Sequence, residues 1–231
     1  MQSLVFKDYP MSKNVVITGA NRGIGLALAK LFKQQGYKVF GLCRHTSDEL
    51  DDLGINVITQ IDVATDEGIH NMKTSLAGVL IDVLVCNAGI LRDEQLAHLN
   101  IDTIRQQFEV NALAPLHIVA ALQSQLNVGG KVAMITSRMG SIEDNTSGGR
   151  YGYRMSKAAL NAASMSLSHD LASKEVAVGI YHPGYVQTDM VNHGGDISAT
   201  ESAARIVGLI TQLDMSQTGV FKHSNGQVLP W

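Results

Sequence analysis

A tyrosine and a lysine four positions apart, Tyr153 and Lys157 in the run Tyr-Arg-Met-Ser-Lys, carry the clearest chemistry in this 231-residue chain. On a helix they share one face, about one turn apart. A free phenol has a pKa of roughly 10 and stays protonated at neutral pH, whereas a fixed cation beside it favours the phenolate. The spacing therefore predicts a tyrosine able to exchange protons near pH 7. Because i and i+4 pairs also arise by chance in helices, the elements that would position this pair decide what it means.

Asn14 to Thr18 is a β-branched run that stops at Gly19, as expected of a strand buried on both faces. Gly19-Ala20-Asn21-Arg22-Gly23-Ile24-Gly25 follows, and then a helical pattern of Leu26, Leu28, Ala29, Leu31 and Phe32 that ends before Gly36. Strand, glycine turn and helix make a phosphate cradle. The glycines let backbone approach a pyrophosphate, and the free N–H groups and positive dipole end of the helix face the anion. The spacing is Gly-x-x-x-Gly-x-Gly rather than Gly-x-Gly-x-x-Gly, and the Gly-Lys-Ser/Thr of a nucleoside triphosphate loop is absent. A second strand, Lys38 to Cys43, ends at Arg44, where a fold that reads a free ribose 2′-hydroxyl would carry a carboxylate. With Arg22 projecting from the glycine turn, two cations flank the position of a 2′-phosphate, which favours NADP(H) over NAD(H).

Asn56 to Ile61 reads as a third strand with Asp62-Val63 at its end. Asp62 could accept from an adenine amino group or cap the helix from Glu67 to Leu76, although Thr65 or Asp66 suits that cap better. The fourth strand, Ile81 to Cys86, is closed by Asn87-Ala88-Gly89, small residues that again allow close backbone approach. A helix from about Asp102 to Leu126 holds Asn111 and Pro115 in its interior. Pro115 has no N–H for the carbonyl of Asn111, so the helix kinks there and Asn111 is placed to hold a water. Lys131 to Thr136 is the fifth strand, which puts Ser137 on the same rim as Gly19 and Asn87 in a parallel sheet. Arg138 to Gly152 is a Gly-, Ser-, Asn- and Asp-rich loop with no readable chemical bias, and the helix opened by Tyr153 carries small residues that invite close packing, including across a subunit interface. The sixth strand, Val176 to Tyr181, runs into His182-Pro183-Gly184-Tyr185-Val186-Gln187-Thr188, where His182 reads as structural. Val191 to Ile197 is expected to be a short mobile flap, Ser198-x-x-Glu201 opens a helix with a capping box, and Gly219 to Lys222 is the last strand. An anion cradle, a strand-end hydroxyl and an activated phenol on one rim suit hydride transfer.

Composition bounds the remaining possibilities. Hydrophobic residues make up 45 % and charged residues 17 %, the balance of a soluble globular protein, and no repeat, linker or second domain is visible. A net charge of -3 without a basic run at either terminus argues against nucleic acid or an anionic membrane surface as the main partner. No long apolar run and no signal-peptide pattern is found, which reads as a cytoplasmic protein. Cys43 and Cys86 fall in or at the end of apolar runs and read as reduced core residues, and the histidines lack metal-ligand spacing, so no metal is expected. Met1 to Lys13 shows no period, reads as an N-terminal extension and is assigned no role.

Set in one line, Thr18 to Gly25, Asn87-Ala88-Gly89, Asn111, Ser137, Tyr153 to Lys157 and Pro183-Gly184 give the chain from Asn14 onward a resemblance to the short-chain dehydrogenase/reductase family. Ser137 to Ile142, Asp144-Asn145, Ser147-Gly148-Gly149 and Pro230-Trp231 look like its C-factor and sniffer-type carbonyl reductase branch. The resemblance implies a single-domain α/β Rossmann fold, a doubly wound seven-stranded parallel sheet with helices on both faces, binding NADP(H) over the strand ends. It implies Tyr153 as general acid/base, Lys157 as the group that lowers the tyrosine pKa and holds the nicotinamide ribose, Ser137 as ligand of the substrate oxygen, Asn111 as anchor of a proton-relay water and Thr188 as partner of the carboxamide. Gly19, Asn21, Arg22, Gly23, Ile24, Gly25, Arg44, Asp62, Val63, Asn87, Ala88, Gly89, Pro183, Gly184 and Val186 complete the expected cofactor contacts. A small carbonyl or alcohol is the expected substrate, a homodimer or homotetramer the expected assembly, and a nucleotide-bound signalling protein the alternative. Fifteen residues separate Ser137 from Tyr153, more than is usual in the family, so this loop is expected to alter substrate access.

Overall fold

The computed structural model describes residues 12–231. Its strands are β1 (Asn14–Thr18), β2 (Lys38–Leu42), β3 (Asn56–Ile58), β4 (Ile81–Cys86), β5 (Leu126–Ile135), β6 (Ala177–His182), β7 (Val186–Gln187), β8 (Ile197–Ser198) and β9 (Phe221–His223). Seven of them form one sheet in the order β3-β2-β1-β4-β5-β6-β9, parallel throughout, while β7 and β8 pair with each other. From β1 the chain moves to one edge through β2 and β3, then returns to the other side of β1 as β4. That reversal opens a crevice beyond the C-terminal ends of β1 and β4, where open α/β sheets bind ligands.

Helices cover both faces, which is why the strands read as apolar runs rather than as alternating patterns. Val15 and Ile17 pack with Leu28, Ala29 and Phe32 of α1 (Gly23–Gln34) and with Ala203, Ile206, Val207 and Ile210 of α7 (Ala199–Gln212). Val16, on the opposite face, joins a cluster with Ile69 and Met72 of α3 (Asp66–Ser75), Ile118, Val119 and Leu122 of α5 (Ala114–Leu122), and Leu160 and Leu167 of α6 (Tyr151–Asp170). Complete burial of Leu28 and Phe32 stabilises the docking of α1 by roughly 1.5–3 kcal/mol per side chain. The body of α1 is thus anchored by its apolar stripe, and its N-terminus is left to the glycine turn.

Local chemistry moves several boundaries. β3 stops at Ile58 rather than Ile61, because Gln60 turns to a positive φ of 60° and pairs its N–H with the Arg44 carbonyl. A single turn that the apolar period does not signal, α2 (Asp48–Asp51), is capped by Ser47, whose hydroxyl accepts from the Leu50 N–H. The long helix expected from Asp102 to Leu126 is α4 (Ile101–Phe108), a π-turn at Glu109–Leu113 and α5, so the kink at Pro115 takes the form of a widened turn. β5 starts at Leu126, five residues early, with Gly129 at φ 72° and a register shift opposite Ile81 to Val83. α6 likewise starts two residues early, at Tyr151. The expectation for Met1 to Lys13 falls outside the described residues, apart from Ser12 and Lys13. Cys43 and Cys86 are buried and unpaired, as expected. Among the described residues no helix is long and apolar enough to cross a membrane, and no group of His, Cys, Asp or Glu is arranged to hold a metal.

Candidate active site

The glycine turn is shaped for three separate reasons. Gly19 (φ +66°) and Gly23 (φ +54°) occupy the left-handed region that disfavours side chains. Gly25 is helical, but a Cβ there would lie 2.1 Å from the Gly19 carbonyl oxygen, so α1 and the turn meet only because no side chain intervenes. Asn87 holds the turn from below. Its Nδ2 donates to the carbonyls of Thr18 at 3.0 Å and Gly19 at 3.2 Å, while the Thr18 hydroxyl accepts from the Asn87 and Ala88 N–H groups at 3.0 and 3.1 Å. Arg22 precedes α1 in extended backbone and makes no side-chain cap, so the first N–H groups of the helix face the crevice. The geometry fits a pyrophosphate.

The crevice has a volume of about 710 Å³ and runs from this turn to Tyr153 and Lys157. Gly19, Asn21, Arg22, Gly23, Ile24, Gly25, Arg44, Asp62, Val63, Asn87, Ala88, Gly89, Pro183 and Thr188 all line it. Gly184, Val186, Asn111 and Ser137 stand behind or beside its wall instead. Gly184 (φ +97°) forms the turn after β6, and Val186 is buried in β7. Arg22 donates to Asp189 at 3.1 Å and Arg44 lies 3.9 Å from Asp62, both pairs exposed to solvent. Asp62 is therefore occupied by Arg44 and by the Ala64 N–H at 3.1 Å, and the cap of α3 falls to Thr65, as its sequence suits. His45, Glu49, Gln187 and His193 line the crevice without a motif to announce them.

At the other end, Tyr153 and Lys157 are 8 % and 4 % exposed on one face of α6. The Lys157 ammonium lies 5.8 Å from the tyrosine ring centroid and donates to the Ile135 carbonyl at 2.9 Å. Burial pushes Lys157 down to about 8. The expectation that this cation depresses the phenol needs correction. Burial holds Tyr153 above its ordinary value, with the Ser137 hydroxyl and the Arg150 guanidinium pulling the other way. Sequence spacing reports proximity, whereas desolvation depends on what the fold packs around the ring. Ser137 opens a short 3₁₀ turn, Arg138–Gly140, and accepts from the Met139 N–H at 3.1 Å. The turn sits directly on α6, since a Cβ on Gly140 would lie 2.7 Å from the Lys157 carbonyl carbon.

Asn111 lies in the π-turn and is fully buried. Its side chain exchanges hydrogen bonds with the Ile90 N–H and carbonyl, both at 2.8 Å, and donates to Ser156 Oγ at 3.1 Å. The side chain is thus committed to structure. Its main-chain carbonyl lacks the i+4 donor of an α-helix, because Pro115 has no N–H. A further group escaped the motif reading: Glu94, only 2 % exposed, accepts from Thr103 Oγ1 at 2.8 Å, Gln107 Nε2 at 2.6 Å and the Gly152 N–H at 3.2 Å. It closes the N-terminal turn of α6 and so sets the position of Tyr153. His182 behaves as expected, buried edge-on to His223 at 4.9 Å and pushed down to about 3 by burial and the neighbouring His223 and Arg138. The segment Val191 to Ile197 is braced, with the Asp196 N–H on the Tyr185 carbonyl at 2.7 Å and Asp189 joined to both Arg22 and His193.

An anion cradle at the switch point and a Ser–Tyr–Lys set on the same rim define a nucleotide-dependent oxidoreductase scaffold. The short chain dehydrogenase profile matches residues 13–196, and the chain belongs to that family of nicotinamide-dependent oxidoreductases. It is 36 % identical over 223 residues to 1-hydroxy-2-glutathionyl-2-methyl-3-butene dehydrogenase of Rhodococcus sp. (strain AD45), covering 94 % of this chain and 99 % of that protein. It is 39 % identical over 159 residues to the C-signal protein of Myxococcus xanthus, covering 65 % of this chain and 93 % of that one. Among solved structures, carbonyl reductase Sniffer of D. melanogaster superposes with a TM-score of 0.85 at 29 % identity, covering 95 % of this chain and all (100 %) of that one. A carbonyl reductase from Pseudomonas aeruginosa PAO1 in complex with NADP gives 0.82 at 32 % identity, with coverage of 95 % and 100 %. The family is the one expected from the sequence, and proteins of the C-factor and sniffer type, which its finer motifs resemble, are among those it is similar to.

Proposed function

We propose that the protein is an NADP(H)-dependent carbonyl reductase or alcohol dehydrogenase, with Tyr153 as its general acid/base. The observation that carries this reading is the buried Tyr153–Lys157 pair beside Ser137, at the end of the crevice that begins in the glycine cradle. NADP(H) supplies or accepts the hydride when bound. The open N-terminus of α1 receives its pyrophosphate, and Arg22 and Arg44, with no carboxylate at the end of β2, suit the 2′-phosphate.

In reduction, the Ser137 hydroxyl orients the substrate oxygen and Tyr153 gives up its proton as negative charge develops there. A phenol held above its ordinary pKa is protonated at neutral pH, the form that this step needs. Lys157, at about 8, can return a proton, and the main-chain carbonyl of Asn111 can anchor a water between that lysine and solvent. Two unpaired buried cysteines suit a reducing, cytoplasmic compartment, and the exposed Ile101, Leu113 and Leu116 beside the small-residue face of α6 suit a homodimer or homotetramer.

Fluorescence titration with NADPH and NADH tests the cofactor. Binding of neither sinks the dehydrogenase reading, and tighter binding of NADH sinks the 2′-phosphate assignment. Turnover of aldehydes and ketones by wild type, lost in Tyr153→Phe, tests the acid. The likeness to C-signal favours one alternative, a nucleotide-bound signalling protein, and cofactor binding without turnover of any carbonyl would support it.

A further inference from the structure

The loop between Ser137 and Tyr153 acquires a chemical bias when it folds. Arg138, Arg150 and Arg154 converge on a second cavity of about 320 Å³, whose other walls are Met139, Asp144 and residues 146–147. Three cations against one carboxylate is a local reversal in a chain of net charge -3. Asp144 is already engaged, with Arg138 Nε and Nη2 both 2.7 Å from its Oδ2. Arg150 turns Nε to Asp93 at 3.1 Å, an exposed pair, and Nη1 toward the Met139 sulfur at 4.0 Å. Arg154 forms no ion pair among the described residues, although Asp144 shares its cavity and acts on its charge. Its Nη2 donates to Ser147 Oγ at 2.9 Å, and its Nε is buried with no hydrogen-bond partner among the described residues.

A buried guanidinium N–H without an acceptor is unfavourable unless something else supplies one. Burial and the charge of Arg150 act to lower Arg154 from its ordinary value, with Asp144 pulling the other way, and arginine keeps its proton throughout. Arg150 adds a second anomaly. It precedes α6 in the left-handed conformation (φ 51°, ψ 44°), which a residue with a side chain rarely adopts, and its N–H is held by the Glu94 carbonyl at 2.8 Å. The cavity also adjoins the reacting centre: Arg138 and Met139 follow Ser137 directly, and the Arg150 charge acts on the Tyr153 phenol.

We infer that this cavity is a subsite for a carboxylate on the substrate, received by Arg154 and Arg150, so that the preferred carbonyl or alcohol carries its anionic group on the side away from the cofactor crevice. The planar fork of arginine matches a carboxylate through two parallel hydrogen bonds, and the terminal N–H groups of Arg154, of which Ser147 engages one on Nη2, can make them. The inference rests on the reading of Ser137 and Tyr153 as the reacting centre.

Calorimetric titration with 4-acetylbenzoate and its methyl ester tests it, because the two ketones differ only in charge at the far end. With NADP+ or without cofactor neither can react. The acid is expected to bind wild type at least tenfold more tightly than the ester, the ratio to fall to about one in Arg154→Gln, and Arg154→Lys, which keeps the charge but not the fork, to restore only a small part of it. Equal binding of acid and ester, binding of neither, or an unchanged ratio in Arg154→Gln overturns the subsite. So does inorganic phosphate that competes as strongly as the acid, since the cavity would then hold any free anion. Turnover of the same pair with NADPH reports separately on the reductase reading. Charge-selective binding with no reduction of either ketone sinks the reductase and supports the subsite, whereas reduction of both without preference does the reverse.

Discussion

Lys157→Met measures what burying this lysine does to the fold. In the folded protein the ammonium is 4 % exposed and titrates at about 8, against 10.5 for an unhindered lysine. Between those two values the unfolded chain binds the proton and the folded chain releases it. Stability therefore rises with pH across this window, is fully present above the unfolded value, and is lost as pH falls through the folded one. Integrating that proton difference from about pH 7 to about pH 10, with the folded group at about 8, gives wild type about 2–3 kcal/mol that a methionine cannot gain. In a chain of this length that corresponds to roughly 5–10 °C in Tm. The assay is urea unfolding of both proteins at the two pH values without cofactor. Comparison with the variant cancels every other group that titrates in alkali, and it also cancels the pH-independent loss of the Lys157 bond to the Ile135 carbonyl. Parallel pH dependence in wild type and variant would refute the reasoning, because it would mean that the lysine is no harder to charge in the fold than in water.

Three further outcomes follow from the geometry. Gly25→Ala places a Cβ 2.1 Å from the Gly19 oxygen, so α1 or the turn must shift; the expected destabilisation is about 1–3 kcal/mol, with NADPH affinity down at least tenfold, and an unchanged melting curve would contradict it. Glu94→Gln removes the anionic acceptor of the Gly152 N–H, at a cost of about 1–3 kcal/mol; kcat should fall while the Kd for NADPH stays within about twofold, and a change in Kd alone would move Glu94 out of its positioning role. Arg44→Asp should reverse the preference of NADPH over NADH in fluorescence titrations, and an unaltered ratio would leave the 2′-phosphate to Arg22.

The sheet was legible because strands buried on both faces must be apolar throughout, and Asn14 to Thr18, Ile81 to Cys86 and Val176 to Tyr181 have no other way to be soluble. The glycine turn was legible for a related reason, since each glycine answers a local steric demand. What stayed hidden depended on partners distant in sequence. Glu94 has acceptor geometry only once Gln107 and Gly152, 13 and 58 residues further on, are folded around it. The direction of the Tyr153 shift depends on desolvation that no i, i+4 spacing encodes. The roles of Asn111 divided between side chain and main chain in a way that only the π-turn reveals, and the loop showed no chemical bias until the fold brought Arg138 and Arg150 to one cavity with Arg154 of α6.

The bonds from Asn87 to Thr18 and Gly19 span 68 to 69 residues of sequence. The strand–turn–helix unit from β1 to α1 holds every glycine of the cradle, yet that unit alone leaves the Gly19 carbonyl without its clamp. The cradle is therefore completed by a long-range event, the docking of β4 beside β1, whose loop closure makes it slower than helix formation. In refolding, far-UV circular dichroism should recover before NADPH fluorescence does, and the dinucleotide becomes a reporter of sheet assembly as well as a reactant. Once bound it also favours the docked state by mass action, so a cell rich in the cofactor would hold more of this chain folded than its intrinsic stability alone predicts.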